Sequence, residues 1–119
     1  MCQDRNFKND IIPRISTGFA GGIGGTGSVC GAVAGAVMAI SLFKERGNTM
    51  EDYMMLASTC EEFRRRFEKE MGSINCRDLT GMDLTVLEDM EKMMTSDVPQ
   101  KVCRPAVALA HKLVTEMLK

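Results

Sequence analysis

The stretch Gly18-Phe-Ala-Gly-Gly-Ile-Gly-Gly-Thr-Gly27, continued by Ser-Val-Cys30-Gly-Ala-Val-Ala-Gly35, decides the fold that we predict for this chain. Glycine favours turns and is a poor helix former, whereas the Ala, Val and Met residues that follow suit a helix. The stretch therefore predicts a Gly-rich turn that delivers Cys30 into the first turn of a small-residue helix. That helix covers about residues 28–46, because Lys44, Glu45 and Arg46 precede Gly47, a common stop signal.

Helical patterns continue beyond this segment. Thr49 and Asp52 form a capping-box-like pair that begins a second helix, and Gly72 ends it. The inward stripe of this helix comprises Tyr53, Leu56, Cys60, Phe63, Phe67 and Met71. The connection over residues 72–81 holds at most one helical turn, so Cys76 is expected on a connection and not on a regular helix face.

The C-terminal third predicts two more helices. One covers residues 84–94, with Leu84, Leu87, Met90 or Glu91, and Met94 on one side. The last is capped by Ser96 or Asp97 and carries Pro99 in its first turn. Its inward stripe comprises Cys103, Ala106, Ala110, Leu113 and Met117. Residues 10–16 could add a short helical piece around Pro13.

The overall pattern predicts an all-α fold. No segment alternates apolar and polar residues over the length of a strand, and we expect a small bundle of about four to five helices with the Gly-rich turn before the central small-residue helix. A length of 119 residues fits one domain, which we assign to residues 1–119.

Composition excludes several classes of function. The net charge is -1, with 15 basic and 16 acidic residues, and no basic patch predicts a nucleic-acid partner. Residues 15–43 lack charge, but their glycines and the short apolar remainder argue against membrane insertion. The N-terminus does not resemble a signal peptide, so we expect a cytoplasmic protein.

The five cysteines, at positions 2, 30, 60, 76 and 103, form no CxxC pair and no disulfide scaffold. Cys30 near a helix start is expected to have a lowered pKa, and a thiolate is both a nucleophile and a metal ligand. The structural alternative is a small apolar residue in a tight helix crossing beside Gly31 and Gly35. Cys60 fits core packing, and His111 fits a surface or flanking position.

Residues 22–27 also fit G-x-G-x-x-G, and Glu45 lies about 20 residues beyond. The fingerprint requires a strand before it and a βαβ unit around it, and neither is predicted here. A Walker A loop is excluded because no Lys follows Gly27. Nucleotide binding is therefore a minor alternative.

The segments Gly18-Phe-Ala-Gly-Gly22 and Cys30-Gly-Ala-Val-Ala-Gly-Ala36, together with Cys76-Arg-Asp-Leu79 and Val102-Cys-Arg-Pro105, resemble the C_GCAxxG_C_C family of redox-active proteins. The resemblance covers about residues 15–115. It implies a helical domain in which four cysteines act together in redox or metal chemistry. Cys30, Cys76 and Cys103 fall on motif cysteines, and Cys2 is the candidate for the fourth.

Three functional hypotheses follow. In the first, the resemblance implies an iron-sulfur cluster or another metal that carries out electron transfer with a redox partner. Its ligands would be Cys30, Cys76, Cys103 and Cys2. Zinc, or no cofactor at all, are the alternatives. The second is thiol-disulfide chemistry, in which Cys30 attacks and Cys76 or Cys103 resolves. The third is a helical interaction module without chemistry, in which Gly31, Gly35 and Ala39 pack on another protomer as a homodimer. Whether the chain is an enzyme stays open.

Overall fold

Six α-helices form the architecture of the chain over the described residues, 1–44 and 47–119, of a computed structural model. They are α1 (Ile11–Ser16), α2 (Gly31–Lys44), α3 (Met50–Met71), α4 (Cys76–Thr80), α5 (Leu87–Thr95) and α6 (Arg104–Met117). No strand occurs in this part of the chain beyond one isolated bridge between Val29 and Asn75. The all-α prediction is confirmed, with four longer helices and the short pieces α1 and α4.

The core lies where α2, α3 and α6 pack against one another. Each helix contributes one apolar stripe to it. The fully or nearly fully buried residues are Val33, Ala36 and Ile40 of α2, Phe63 and Phe67 of α3, and Ala106, Ala110, Leu113 and Val114 of α6. Small side chains on α2 and α6 let these helices approach closely, and the two Phe rings, 5.9 Å apart, fill the space beside them.

The predicted boundaries of α3 are confirmed in detail. Thr49 accepts a hydrogen bond from the Asp52 backbone N–H, and the Asp52 carboxylate accepts one from the Thr49 N–H. Gly72 ends the helix in the left-handed conformation. The predicted inward stripe also holds from Leu56 to Met71. Tyr53 is the exception, since its side chain is 48% exposed at the outer end of the helix.

The central helix begins later than predicted, at Gly31 instead of residue 28. The backbone at Ser28 and Cys30 is engaged in hydrogen bonds to the segment around Cys76 and is therefore extended, not helical. The predicted end of this helix at Glu45 and Arg46 lies outside the described residues.

The prediction for α5 is wrong in its start. The helix begins at Leu87 and not at residue 84, and the apolar side predicted for it is exposed at Leu87, Met90 and Met94. The last helical segment has Pro99 in its first turn, as predicted, but this turn is not regular α-helix. Pro99–Cys103 forms a π-helical turn, and regular α6 follows from Arg104.

The N-terminal segment lies against α2 and α6. The Phe7 ring meets the Phe43 ring edge to face at 5.9 Å, and the Arg5 guanidinium lies 5.1 Å from the centre of the same ring. Asp4 is 2.5 Å from Nε2 of His111 on α6. The segment is thus attached at both of these helices. No helix among the described residues combines the length and the apolar character needed to cross a bilayer.

Candidate functional site

The Gly-rich turn winds through backbone conformations that glycine adopts freely. Five consecutive residues, 21–25, have positive φ, and Gly27 does as well. The turn closes on itself through hydrogen bonds in which Ser28 N donates to Gly22 O at 2.9 Å and Gly27 N donates to Gly21 O at 3.1 Å. Such a run is accessible only to a chain that is almost entirely glycine, which explains the composition of this segment.

Gly22 is the point where the turn touches the site. A Cβ added at Gly22 would lie 2.6 Å from the Ser28 N and 2.8 Å from the Cys76 Cβ. The absence of a side chain therefore lets the turn pack directly on Cys76. The sequence prediction that the turn serves close backbone approach agrees with this contact.

The isolated bridge brings two motif cysteines to one place. Cys30 N donates to Ile74 O, and Cys76 N donates to Ser28 O, both at 2.7 Å. Val29 and Asn75 therefore form a non-hydrogen-bonded antiparallel pair, the type in which the two Cα atoms lie closer together. Because side chains alternate along extended backbone, Cys30 and Cys76 both project to the face opposite Val29 and Asn75.

Each of these cysteines also begins a helix. The Cys30 carbonyl accepts the first hydrogen bond of α2, from Ala34 N at 3.0 Å, so Cys30 occupies the N-cap position. Cys76 is the first residue of the five-residue α4 and is only 8% exposed. The expectation that Cys76 lies on an irregular connection is thus corrected, since the connection forms this short helix.

Cys103 reaches the same region through the π-helical turn, which contacts α4. Arg104 N donates to Pro99 O, five residues back, and this closes the wider turn. Pro105 has no N–H to offer the Lys101 carbonyl, so the usual α-helical hydrogen bond cannot form at this point. Cys103 stands at the end of this turn and is half-buried. π-Helical turns of this kind are frequent at functional sites.

The three thiols interact electrostatically. Burial raises the pKa of Cys76 most strongly, and negative charge on Cys30 and on Cys103 raises it further, against a smaller lowering by a hydrogen bond with Thr80. Burial and then charge on Cys30 likewise raise the pKa of Cys103. We refer to Cys30, Cys76 and Cys103 as the thiol centre. All three are free thiols.

The thiol centre is not arranged as a metal cage. Among the described residues, no group of three or more His, Cys, Asp or Glu side chains is placed to hold a metal ion. The expected lowering of the Cys30 pKa stays a prediction.

The remaining candidates lie elsewhere. Cys2 lines an apolar cavity of about 650 Å³ whose lining on α2 runs from Gly35 to Leu42. Charge on Cys2 is not among the causes that shift the pKa of Cys76 or Cys103, so the structure does not bring Cys2 to the thiol centre. Cys60 packs at the edge of the core, as expected, and burial raises its pKa. His111 is exposed and paired with Asp4.

Arg77 belongs to the site, although no role was predicted for it from the sequence. Its backbone N–H donates to Gly27 O at 3.0 Å, and its guanidinium donates to Thr26 O at 3.3 Å. Asp83 lies 3.6 Å from the same guanidinium. Arg77 therefore fastens the Gly-rich turn to the helix that carries Cys76. Its position next to a motif cysteine is the sequence signal that could have identified it.

Comparison with known proteins shows the family of this chain. The family described as "Putative redox-active protein (C_GCAxxG_C_C)" matches residues 1–117. The chain therefore belongs to the C_GCAxxG_C_C family, and all five cysteines lie within the match.

A curated relative, an uncharacterized protein of Archaeoglobus fulgidus, is 36% identical over 95 residues, which cover 72% of this chain and 63% of the relative. The chain thus spans less than two thirds of the length of that relative. No solved structure matches the chain.

Proposed function

Starting from membership of this redox-active family, we propose that the thiol centre is a dithiol–disulfide couple that passes two electrons to a disulfide partner. The observation that supports this most directly is electrostatic: charge on Cys30 adds to the effect of burial in raising the pKa of both Cys76 and Cys103, and charge on Cys103 raises the pKa of Cys76 further. Residues that are far apart in the sequence meet in this contact, and core packing alone does not require all of them to be cysteine.

Exposure and electrostatics together assign the roles within the couple. Cys30 and Cys103 are both partly exposed, whereas Cys76 is buried. Of the two exposed thiols, Cys30 is the one whose charge raises the pKa of both others, so we assign the attack on the partner to Cys30. Its thiolate attacks the partner disulfide, forms a mixed disulfide and releases one partner thiol. Cys76 or Cys103 then attacks the Cys30 sulfur, an intrachain disulfide forms, and the second partner thiol leaves. The two protons of the chain's thiols end on the partner's thiols.

The raised pKa values indicate the direction in which the couple transfers electrons. A thiol with a low pKa stabilises the reduced form as thiolate and makes its disulfide strongly oxidising. Burial, together with charge on Cys30, raises the pKa of Cys76 and of Cys103, so these two thiols stay protonated at neutral pH and lack that stabilisation. We therefore infer that the couple acts as a reductant, in a reducing compartment such as the cytoplasm, where its thiols stay free.

The test is a redox titration of the purified chain in dithiothreitol buffers, with trapped thiols counted by mass spectrometry. We expect an intrachain disulfide that contains Cys30, with a potential of about -270 mV or lower. Cys30→Ser abolishes this disulfide. Cys60→Ser is the matched control and leaves it unchanged. If strong oxidant produces no disulfide within the thiol centre, or if the bond instead involves Cys60, the proposal fails.

A second candidate is an iron-sulfur cluster or a zinc ion at the thiol centre. The repulsion that charge on Cys30 exerts on Cys76 and Cys103 favours it, because a bound cation would relieve that repulsion. As placed, however, the thiols form no ligand set, and Cys2 is distant. This candidate would require the side chains to converge and a fourth ligand from Cys2 or from outside the chain.

Metal analysis separates the two candidates. Protein prepared anaerobically from iron-replete cells would carry iron and visible absorption, or zinc, and Cys30→Ser and Cys76→Ser would lose them while Cys60→Ser would not. Colourless, metal-free protein under these conditions contradicts the second candidate and leaves the dithiol couple.

A further inference from the structure

Two adjoining cavities form an apolar groove along α2. The smaller cavity, of about 330 Å³, lies between α2 and α6, and the larger, of about 650 Å³, lies between α2 and the N-terminal residues. Met1, Gly35 and Ala39 line both cavities. Each volume falls in the range of roughly 300–1,000 Å³ that is typical of small-molecule sites. We refer to the two cavities together as the α2 groove.

One end of the α2 groove lies beside the thiol centre. Gly31, which follows Cys30 directly, lines the smaller cavity on α2. Val107 lines it on α6, about one helical turn after Cys103. Cys30 and Cys103 are the two partly exposed thiols of the centre, whereas Cys76 is buried. A molecule bound in the groove therefore lies next to the two thiols that solvent also reaches.

The packing of the chain does not require the glycine at position 35. Gly35 lies in the interior of α2, and a Cβ there would meet nothing within 4 Å. Alanine would fit without a steric clash and would stabilise the helix more than glycine does. Gly31 differs, because a Cβ there would lie 3.3 Å from the Phe19 O. Gly35 therefore leaves the groove open at a cost in stability, as is expected where a residue makes room for a ligand.

The α2 groove presents no unpaired charge to a ligand. The described residues that line the two cavities include no Lys, Arg, Asp or Glu side chain. Nε2 of His111 and the ammonium of Met1, at the edge of the groove, both interact with the Asp4 carboxylate. A carboxylate or phosphate would therefore lose its hydration without gaining a partner from this lining. An uncharged, apolar molecule fits the groove.

We propose that the α2 groove binds the substrate of the thiol centre and that this substrate is a low-molecular-weight disulfide with an uncharged alkyl chain. The inference rests on the dithiol–disulfide couple proposed above and names its substrate class. The disulfide lies at the Gly31 end, and the alkyl chain runs past Gly35 to Ala39, a distance of about 12 Å along the helix axis. The groove stabilises the bound alkyl chain because it removes apolar surface from water.

The reaction is complete with the chain and the substrate alone. The Cys30 thiolate attacks one sulfur of the bound disulfide, the S–S bond of the substrate breaks, and one alkyl thiol leaves with the proton that Cys30 gave up. A second thiol of the centre then attacks the Cys30 sulfur of the mixed disulfide, and its proton leaves with the second alkyl thiol. Two cysteines are oxidised to one disulfide, and the substrate is reduced to two thiols.

The test compares two small disulfides of the same size. Dipropyl disulfide and bis-hydroxyethyl disulfide differ only in that each terminal methyl group of the first is a hydroxyl group in the second. The reduced full chain is mixed with an excess of each, and formation of its intrachain disulfide is followed by mass spectrometry. Each rate is divided by the rate at which dithiothreitol reduces the same disulfide, which corrects for intrinsic reactivity. We expect the corrected rate to be about 10-fold higher for dipropyl disulfide, because the groove buries its alkyl groups.

Gly35→Leu fills the groove, and the empty space at this position lets the larger side chain enter without displacing the core. This variant is expected to lower the preference for dipropyl disulfide from about 10-fold to less than about 2-fold. Ala108→Leu is the matched control, because Ala108 is exposed on α6 and lines neither cavity. It should keep the preference of the wild-type chain. Circular dichroism checks that both variants are folded.

Equilibrium binding provides a measurement that needs neither a variant nor a reaction. Octanol, an uncharged alkyl probe without a disulfide, is titrated into the reduced, isotope-labelled chain and followed by NMR. We expect saturable shifts of the amide signals of Gly31, Gly35 and Ala39. Shifts that do not saturate, or that lie elsewhere in the chain, overturn the inference.

The outcomes separate this inference from the proposed function. Equal corrected rates for the two disulfides, or a preference that Ala108→Leu removes and Gly35→Leu retains, overturn the groove as the substrate site, while the redox titration in dithiothreitol buffers still shows the Cys30 disulfide. A chain that forms no disulfide in that titration overturns the proposed function itself and the substrate assignment with it.

Discussion

Replacing Gly22 by alanine tests whether the Gly-rich turn is required for close contact with the thiol centre. Gly22 has a φ of +74°, and a Cβ there would lie 2.6 Å from the Ser28 N, 2.7 Å from the Ser28 O and 2.8 Å from the Cys76 Cβ. Two of these atoms belong to backbone that cannot move without breaking hydrogen bonds. The Ser28 O accepts the Cys76 N–H, and the Ser28 N–H donates to Gly22 O.

Two costs contribute to the expected change in the free energy of unfolding. An L-residue in the left-handed region costs roughly 1–2 kcal/mol. Forcing an extra methyl group into a packed site typically costs about 1–3 kcal/mol more. Gly22→Ala is therefore expected to lower the free energy of unfolding by about 2–5 kcal/mol in total.

Gly25→Ala is the matched control. Gly25 has nearly the same φ, +75°, but nothing lies within 4 Å of the point that a Cβ would occupy there. It carries the conformational cost without the steric one, and the smaller entropy of the unfolded chain affects both variants equally. The difference between the two variants, about 1–3 kcal/mol, isolates the close approach.

Urea unfolding followed by circular dichroism measures both values, under reducing conditions. Thiol labelling of the folded variants adds a local readout, since displacement of Ser28 should expose Cys76 to alkylation in Gly22→Ala and not in Gly25→Ala. Equal destabilisation of the two variants, with unchanged alkylation of Cys76, would show that Gly22 is not required for the close approach of the turn to Cys76.

Three further outcomes are expected. Val114→Ala, at a 2% exposed site, should lower the free energy of unfolding by about 1–3 kcal/mol in urea titrations, whereas Val107→Ala, 58% exposed on the same helix, should change it by less than about 0.5 kcal/mol. Thr49→Ala should cost about 1 kcal/mol through loss of the capping box, and Thr49→Ser should restore most of it. Because the pKa values of Cys76 and Cys103 are raised in the folded state, the folded chain holds more thiol protons above the unfolded thiol pKa, about 8.5. The free energy of unfolding should therefore fall as pH rises from about 8.5. In urea titrations between about pH 7 and 10, the variant with both Cys76→Ser and Cys103→Ser should show a smaller fall. An equal fall in the variant and the wild-type chain would contradict the raised pKa values.

The sequence predicted well those features that depend on neighbouring residues. The capping box at Thr49 and the left-handed stop at Gly72 are local hydrogen-bonding and φ requirements, and both are confirmed. The stripe from Leu56 to Met71 follows from helical periodicity alone. The predicted role of the Gly-rich segment as a turn of close approach also agrees with the structure, because four of the five residues 21–25 are glycines that adopt positive φ freely, Ile23 being the exception.

Predictions that depended on distant partners were less accurate. The apolar side of α5 was predicted from periodicity, but periodicity does not say what covers that side, and in the structure Leu87, Met90 and Met94 are exposed. The start of α2 moved to Gly31 because the backbone before it pairs with Ile74 and Cys76. The π-helical turn at Pro99–Cys103 was also missed, although Pro105 supplies a local reason for it.

The sequence by itself determined that this chain is helical, that Cys30 stands at a helix start and that glycine precedes it, since each of these is fixed by a few neighbouring residues. Only the tertiary structure decided that Cys76 and Cys103 meet Cys30 while Cys2 does not. The physical reason is that the relative positions of these cysteines depend on an isolated backbone bridge and on helix packing. Both involve segments far apart in the chain, and no local sequence pattern encodes their geometry.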